Sequence, residues 1–330
     1  MTRALITGIT GFVGSHLADY LLANTDWEVF GTHRWRSPLD NIEHLVPLVN
    51  EGRIKLIEME LRDADSVSNA VRAAEPNYVF HLAAQSYPKA SFNSACDTYE
   101  VNVCGTERLL SSLRGSGATI HVCSSSEVYG RTPKELTPIR EDCPFHPASP
   151  YAISKVGTDL VARHYAEAHK MRIVVTRMFT HTGPRRGDVF AESSFAKQIA
   201  MIEAGQLHNV VKVGNLQSVR TVADVRDAVR AYHLAVTSQF TDGAVYNIGG
   251  TFTTTVGGIL RQLLSFSDKS VMVEVDQERL RPIDADNQVP NSSAFRNLTG
   301  WEPRYAFIDT MTDLLNYWRE RVKTRNCLQR

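Results

Sequence analysis

Two short stretches of the sequence hold side chains that could exchange protons with a bound molecule. The first, SSSE, runs from Ser124 to Glu127 at the end of an apolar run, and the second, SPYAISK, places Tyr151 and Lys155 four residues apart. On a helix this spacing lets both side chains project from one face. A phenol with its ordinary pKa of about 10 is a weak base at neutral pH. A nearby ammonium group is expected to lower that pKa and to favour the phenolate.

The hydroxyl and carboxyl groups of SSSE suit another part of such chemistry. Ser125 can hydrogen-bond a sugar or carbonyl oxygen, and Glu127 can take or give a proton. The serines could equally serve a turn or a helix cap, and Glu127 could be a solvent-facing acid. The pattern therefore predicts an acid–base site only if the fold brings the two stretches together.

The first half of the chain alternates short apolar runs with segments of helical period. Predicted strands are Ala4 to Thr7, Glu28 to Gly31, Ile54 to Glu58, Tyr78 to Leu82, Thr119 to Cys123, Arg172 to Arg177 and Ala244 to Ile248. The first predicted helix begins at Ser15, and the others cover Asp65 to Ala74, Thr98 to Leu113, Pro150 to Ala168 and Asp224 to Ala235. This alternation indicates parallel crossovers, hence an α/β fold with a doubly wound parallel sheet. Ligands lie beyond the carboxyl ends of such strands, which is where SSSE stands.

The alternation stops after Phe179. HTGPRRGDVF is a polar loop containing Gly and Pro, and the pattern beyond Gly250 is shorter and irregular. We expect residues 1–178 plus 221–248 to form the sheet domain. Residues 179–220 plus 249–330 are expected to form a smaller, substrate-binding part.

A glycine-rich loop, TGITGFVG, follows the first predicted strand and opens the first helix. Gly8, Gly11 and Gly14 permit a tight turn and let backbone N–H groups approach a pyrophosphate at the helix N-terminus. The residues expected to contact a dinucleotide here are Thr7, Gly8, Gly11, Phe12, Val13 and Gly14. A plain strand-to-helix turn is the alternative.

The end of the second strand indicates which dinucleotide would bind. NAD-binding proteins carry an acid there for the ribose 2′-hydroxyl, but this chain has His33, Arg34, Trp35 and Arg36. Arg34 and Arg36 would suit a 2′-phosphate, so we expect NADP. The alternative is that both arginines are solvated loop charges. Glu60, after the third strand, is expected near the adenine.

Composition excludes several other classes of protein. The chain has 36 basic and 36 acidic residues, which gives no charge excess for nucleic acid or a membrane surface. Its five cysteines show no CxxC spacing, so we expect no metal site. The sequence has no signal-peptide pattern and no apolar run near the roughly 20 residues of a spanning helix. We expect a cytoplasmic protein by elimination.

Taken together, these motifs resemble the extended short-chain dehydrogenase/reductases of the nucleotide-sugar type, which carry a Rossmann domain. The matching segments are TGITGFVG, HLAAQS, NVCGT, SSSEVYG, SPYAISK and GNLQSVRTVADVRDAVRAY, spread over nearly the whole chain. Within that group the chain is similar to GDP-mannose 4,6-dehydratases through AAQSY, RWRSPLDNIEHL and HTGPRRGDVF. GDP-manno-heptose 4,6-dehydratases are close relatives, so the sugar stays open.

The resemblance implies a reaction that explains the presence of both proton-exchanging groups. Tyr151 would take the C4 hydroxyl proton while hydride passes from C4 to NADP⁺, and the C4 ketone would acidify the C5 hydrogen. Glu127 would remove that hydrogen, and water would leave C6 with help from Ser125 or Glu127. Hydride would then return to C6, giving a GDP-4-keto-6-deoxy sugar.

The resemblance also implies further contacts. For the cofactor these are Leu61, Leu82, Ala83, Ala84, Gln85 and Arg185, with Tyr151 and Lys155; for the GDP-sugar they are Ser86, Ser125, Ser126, Thr180, Lys197, Arg220 and Arg281. Lys197, Arg220 and Arg281 could otherwise form surface ion pairs. The family usually has Thr where Ser125 stands and Asn where Thr180 stands. The first change keeps a hydroxyl, whereas the second loses an amide.

Two other functions remain open at this stage. SSFAKQIAMIEAG, KVGNLQSVR and TGWEPR also resemble GDP-4-keto-6-deoxy-mannose reductases, a group that can carry Ser-Ser-Glu before the tyrosine as well. The Arg-rich loop and PRRG favour the dehydratase. A non-catalytic NADP-binding regulator could also share the fold. The resemblance further implies a homodimer through helices at about 93–115 and 150–168. A homotetramer is implied if the loop after Arg34 reaches a neighbouring subunit.

Overall fold

The computed structural model describes residues 1–283 and 285–324 of the chain. The expected substrate-binding part therefore includes a few positions, among them Cys327, that lie outside the described residues. The strands are β1 (Arg3–Thr7), β2 (Glu28–His33), β3 (Ile54–Glu58), β4 (Tyr78–His81), β5 (Thr119–Cys123), β6 (Ile173–Met178), β7 (His181–Thr182), β8 (Val210–Val213), β9 (Val219–Asp224), β10 (Ala244–Ile248), β11 (Phe252–Thr255), β12 (Met272–Val275) and β13 (Asn287–Gln288).

The α-helices lie between these strands and after them. They are α1 (Phe12–Asn24), α2 (Val46–Asn50), α3 (Ala64–Ala74), α4 (Pro88–Asn93), α5 (Ala95–Tyr99), α6 (Gly105–Ser112), α7 (Pro150–His169), α8 (Ala191–Glu203), α9 (Val225–Thr237), α10 (Val256–Leu264), α11 (Ser293–Thr299) and α12 (Phe307–Thr324). Within the described ranges, no helix combines the length and apolar character that a bilayer span requires.

Seven parallel strands form the central sheet in the order β3-β2-β1-β4-β5-β6-β10. The first six strands follow the dinucleotide-binding order, whose crossovers reverse direction next to β1. Alternate residues of one strand pack on opposite faces: Leu5 belongs to one core, and Ala4 and Ile6 belong to the other. Both faces of the central sheet are covered and need apolar side chains. The strand sequences are therefore continuous apolar runs. The predicted doubly wound α/β fold is confirmed.

Helices cover both faces of this sheet. On one face α1 and α9 pack together and bury side chains such as Leu17, Leu21 and Tyr232. On the other face α3, α6 and α7 bury a second core that includes Leu109 and Leu110. Because both faces are closed, a ligand can approach the sheet only along its edges and strand ends.

A second group of elements stands beyond the carboxyl ends of the strands. β9 pairs with β11, β13 and β7, and β8 pairs with β12. Helices α8, α10 and α12 enclose a separate apolar core that contains Phe195, Leu314 and Trp318. Strand β9 belongs to this group, while the following helix and β10 return to the central sheet.

The predicted helix from Thr98 to Leu113 lies in a segment that is helical without a break from Ala95 to Ser112, but it is not a regular α-helix throughout. It contains a π turn over Glu100–Cys104, between α5 and α6. The buried Asn102 lies in that turn; its amide nitrogen donates to the Gln85 carbonyl (2.9 Å) and to the Ser154 hydroxyl (2.8 Å). Its amide oxygen accepts from the Gln85 N–H at 2.8 Å. A π turn changes the direction of one side chain within a helix, and here that side chain fixes the loop after β4.

Candidate active site

A cleft of about 1490 Å³ lies between the carboxyl ends of the parallel strands and the second group of elements. Pockets for a single drug-sized ligand usually measure about 300–1,000 Å³. The cleft therefore has room for two ligands side by side, one along the sheet and one against α8 and β8.

The glycine loop forms one wall of the part of the cleft that lies along the central sheet. Gly8 has a positive φ of 74°, and a Cβ atom at Gly14 would stand 2.3 Å from the carbonyl oxygen of Gly8. The loop is thus packed at a distance that only glycine permits. Gly11 precedes the first turn of α1, which contains no acid, and Phe12 and Val13 line the cleft. This cradle of backbone N–H groups at a positive helix end suits a pyrophosphate.

The side chains after β2 and β3 line the same half of the cleft. Arg34, Ser37, Glu60 and Leu61 all face it. Arg36 does not line it; its guanidinium stacks over the exposed Trp35 ring, 4.5 Å from the centroid. Of the two arginines expected near a 2′-phosphate, Arg34 is the one that the structure brings to the cleft.

Thr7 does not line the cleft but supports its floor. The Thr7 hydroxyl oxygen accepts from the N–H groups of Leu82 and Ala83 at 3.0 Å. It also contacts His81 Nδ1 at 2.9 Å, while His81 Nε2 lies 3.0 Å from the Thr106 hydroxyl. Burial, together with the charge of a nearby lysine, lowers the pKa of His81 to about 3, so the ring stays neutral. The residues that this network supports, Leu82, Ala83, Ala84, Gln85 and Ser86, line the cleft.

Helix α7 presents the tyrosine and lysine to the cleft. Its N-terminus is capped by the Ser149 hydroxyl, which accepts from the Ala152 N–H at 3.0 Å, and Pro150 occupies the first turn. Tyr151 and Lys155 are both buried within the wall of the cleft. The Lys155 amine donates to the Cys123 carbonyl oxygen at 2.7 Å. That bond ties α7 to the end of β5, the strand that leads into SSSE.

The expected lowering of the tyrosine pKa does not occur in the chain alone. Burial raises the pKa of Tyr151, and the charges of Cys123 and Glu127 raise it further. A hydrogen bond from Ser125 and the charge of Arg186 act in the opposite direction but are weaker. Burial also lowers the pKa of Lys155. The prediction relied on the lysine together with a positively charged nicotinamide, and it overlooked this desolvation, which disfavours the charged form of both groups.

The SSSE stretch converges on the same place. After β5 the chain forms a 3₁₀ turn at Ser126–Val128, where the Ser125 hydroxyl accepts from the Glu127 N–H at 3.2 Å. Ser125, Ser126 and Glu127 line the cleft together with Tyr151. The Glu127 carboxylate is 17% exposed and lies 3.9 Å from the guanidinium of Arg281. The structure therefore brings a phenol, a hydroxyl and a carboxylate to one pocket.

Of the two neighbouring arginines in PRRG, the structure turns the second into the cleft. Arg185 has a positive φ of 70° and points away, donating to Asp19 at 2.6 Å. Arg186 lines the cleft, with its guanidinium 3.6 Å from the centroid of the Phe190 ring and an ion pair to Glu192 at 3.3 Å. The prediction chose Arg185, although the two arginines have the same sequence signal. Only the backbone conformation distinguishes them.

The other half of the cleft is polar and contains several cations. Every residue expected to contact the sugar nucleotide lines the cleft: Ser86, Ser125, Ser126, Thr180, Lys197, Arg220 and Arg281. Lys197 forms an ion pair with Asp188 at 2.7 Å. Lys89 also lines this half, and its amine donates to the carbonyl oxygen of Glu278 across the cleft. No local sequence pattern identifies it, because its partner stands 189 residues further along the chain.

This strand order, with a glycine loop at the first crossover and a tyrosine–lysine helix beside β5, defines a short-chain dehydrogenase/reductase of the extended type. The family model for GDP-mannose 4,6 dehydratase matches residues 5–314. The chain belongs to that family, as the sequence motifs predicted.

Named relatives include both dehydratases and a reductase. GDP-mannose 4,6 dehydratase 2 of Arabidopsis thaliana is 33% identical over 92% of this chain and 83% of its own. A GDP-6-deoxy-D-mannose reductase of Pseudomonas aeruginosa is 29% identical over 97% of this chain and 98% of its own. The solved structure of RMD from Pseudomonas aeruginosa complexed with NADPH has a TM-score of 0.82 and 27% identity, covering 97% of this chain and 100% of that one.

Proposed function

We propose that the protein is a GDP-sugar 4,6-dehydratase. Its substrate would be GDP-mannose or GDP-D-glycero-D-manno-heptose, and its product the GDP-4-keto-6-deoxy sugar. The observation that carries this proposal is the convergence of Glu127, Ser125 and Tyr151 on one pocket. A simple carbonyl reduction needs the phenol, but it includes no step that removes the C5 proton and so requires no carboxylate base.

NADP is the cofactor that we propose for the sheet half of the cleft. The glycine cradle would hold the pyrophosphate, Glu60 would lie towards the adenine, and Arg34 would meet the 2′-phosphate. The cofactor named in the structure of RMD from Pseudomonas aeruginosa, NADPH, supports this choice. When bound, NADP would supply the acceptor for the hydride that leaves C4 and the donor of the hydride that reduces C6.

The side chains of this chain would manage the protons of that reaction. Tyr151 takes the C4 hydroxyl proton and Ser125 hydrogen-bonds the oxygen that becomes the ketone. The ketone acidifies the C5 hydrogen, which Glu127 removes as a base. The C6 hydroxyl then leaves as water after receiving a proton from the glutamic acid that has just formed. When C6 is reduced, C5 would take a proton from solvent, and Tyr151 would release to solvent the proton that it took from the C4 hydroxyl. Lys155 holds the cofactor ribose and keeps positive charge near the phenol.

Incubation with a GDP-sugar and no added reductant tests the proposal. We expect GDP-mannose, or the heptose analogue, to give a 4-keto-6-deoxy product detected by nuclear magnetic resonance, with no net consumption of NADPH. Comparison of turnover on the two sugars identifies the substrate. Failure to convert either sugar, with NADP bound, would contradict the dehydratase assignment.

A reductase is the second candidate. It is favoured by the match to the Pseudomonas aeruginosa reductase, which extends over 98% of that protein, whereas the Arabidopsis dehydratase is covered over 83%. A reductase would oxidise NADPH only when a GDP-4-keto-6-deoxy sugar is supplied. Tight NADP binding with neither activity would instead support a non-catalytic regulator.

We expect replacement of Arg34 by alanine to weaken NADP binding and leave NAD binding nearly unchanged. Loss of one charge-assisted contact to a phosphate corresponds to about 10- to 100-fold weaker binding. Isothermal titration with each dinucleotide measures the change. Arg36→Ala is the matched control, because Arg36 stacks on Trp35 outside the cleft. Equal weakening of NAD and NADP by Arg34→Ala would contradict the assignment.

We also propose that the protein assembles as a homodimer or homotetramer in the cytoplasm. Two large apolar side chains on α7, Ile153 and Leu160, are 48% and 49% exposed. Covering such side chains against a second copy is favourable, which supports pairing through this helix.

A further inference from the structure

A buried polar network begins at Tyr129, two residues after Glu127. The Tyr129 ring is fully buried, and burial raises the pKa of its hydroxyl to about 12, so the group keeps its proton at neutral pH. That hydroxyl donates to the Asn247 side-chain oxygen at 2.8 Å and accepts from the Arg177 guanidinium at 2.8 Å. Arg177 and Asn247 stand opposite each other in β6 and β10. The hydroxyl therefore ties the turn after Glu127 to two strands of the central sheet.

The same guanidinium also holds the helix that carries Tyr151 and Lys155. Arg177 donates to both carboxylate oxygens of Asp159, at 2.8 and 3.2 Å, and the two side chains are 3% and 0% exposed. Asp159 follows Lys155 by four residues and Tyr151 by eight, and this spacing places all three on one face of α7. A bidentate pair fixes the geometry of both of its partners. Arg177 therefore connects the turn of Glu127 with the helix of Tyr151.

Tyr151 and its helix keep other anchors that do not involve Tyr129. The Tyr151 N–H donates to the buried Ser91 hydroxyl at 3.0 Å. The Arg177 nitrogen that contacts Tyr129 also donates to the Glu141 carbonyl oxygen at 2.8 Å, so the guanidinium stays paired without the hydroxyl. Loss of the Tyr129 hydroxyl alone should therefore loosen the SSSE stretch and leave Tyr151 in place.

We propose that Tyr129 is a positioning residue, which acts through Arg177 to hold the Glu127 carboxylate at a fixed distance from the Tyr151 phenol. Tyr129, Arg177 and Asp159 lie outside the lining of the cleft, so they act only through the groups that they hold. This inference rests on the proposed function, because that distance matters only if both groups act on one sugar. In that reaction Tyr151 serves the oxidation at C4, whereas Glu127 serves the later removal of the C5 proton.

Tyr129→Phe removes the hydroxyl and keeps the ring in its buried place. We expect product formation from the GDP-sugar to fall about 10- to 100-fold, the loss that a misplaced reacting group causes. Oxidation at C4 continues, so a larger share of the bound NADP is in the reduced form during turnover than in the wild-type enzyme. The absorbance of the reduced nicotinamide, normalised to bound NADP, measures this share independently of the folded fraction.

A double variant tests whether Tyr129 acts on Glu127. In a Glu127→Gln background, Tyr129→Phe should lower product formation no further, because the group that it positions has already lost its function. Tyr165→Phe is the matched control: its hydroxyl contacts Glu107 away from the cleft, and both measurements should equal those of the wild type. Asn247→Ala, which removes the other partner of the Tyr129 hydroxyl, should shift both measurements in the same direction whether or not Tyr129→Phe folds.

Three results would overturn the positioning role. They are unchanged product formation in Tyr129→Phe, a fall in product without a larger reduced share of NADP, and a further fall of the same size in the Glu127→Gln background. Absence of product with the wild-type enzyme, although NADP is bound, would instead contradict the proposed function.

Discussion

Replacing Glu127 by glutamine is expected to lower formation of the 4-keto-6-deoxy product by about two to four orders of magnitude, the usual contribution of a positioned general base. The amide has the same shape but cannot accept a proton from C5. Because the pocket keeps Tyr151 and Lys155, oxidation at C4 should persist and be visible as transient reduced nicotinamide. Turnover and exchange of the C5 hydrogen with deuterated solvent measure the two steps separately.

The matched control is Glu278→Gln, an acid in the wall of the same cleft with no proposed part in proton transfer. It should keep turnover within the order of magnitude of the wild type. If Glu127→Gln retained full dehydratase turnover, the role of Glu127 as base would be refuted. If neither the variant nor the wild type eliminated water while both reduced a keto-sugar, the reductase would be the correct assignment.

Replacing Tyr151 by phenylalanine should stop hydride transfer in either direction, with turnover lower by about two to four orders of magnitude. The ring stays in its buried position, so the fold should be preserved and NADP should still bind. Burial raises the pKa of Tyr151 in the chain alone, and the phenol is therefore neutral at pH 7 until positive charge arrives with the oxidised cofactor. Since only the phenolate is a base, the wild-type rate should rise with pH on the acidic side.

Tyr165→Phe on the same helix is the control for this experiment. The Tyr165 hydroxyl donates to Glu107 at 2.7 Å, away from the cleft. Its loss should leave turnover and the pH profile unchanged. An unchanged profile in Tyr151→Phe, or residual turnover close to that of the wild type, would exclude Tyr151 as the proton acceptor.

The fold could be predicted from the sequence because its strands, its helical segments and its glycine loop all indicate the same architecture. Continuous apolar strands, helical segments between them and a glycine loop after the first strand all require a parallel sheet covered on both faces. The convergence of Ser125 and Glu127 with Tyr151 followed from topology, since neighbouring parallel strands end at one edge. These features depend on residue types and spacing, which the sequence contains.

Other features depend on local conformation or solvation, which spacing does not encode. Arg185 and Arg186 are neighbours of the same type, and a positive φ at the first turns only the second into the cleft. The direction of the Tyr151 pKa shift depends on how much water the folded chain removes from the phenol. The contact of Lys89 with Glu278 joins residues 189 positions apart. No single stretch of sequence carries that information.

The π turn at Glu100–Cys104 has a consequence for how this segment tolerates insertions and deletions. An extra residue in one turn rotates everything after it by about 100° relative to a regular α-helix. Within the π turn the segment presents Asn102 to the loop after β4, and downstream of it the segment presents Leu109 and Leu110 to the core. If one residue were removed from the π turn, Asn102 could not hold the loop after β4 while Leu109 and Leu110 still packed in the core. The number of residues in this turn is therefore constrained as tightly as their types.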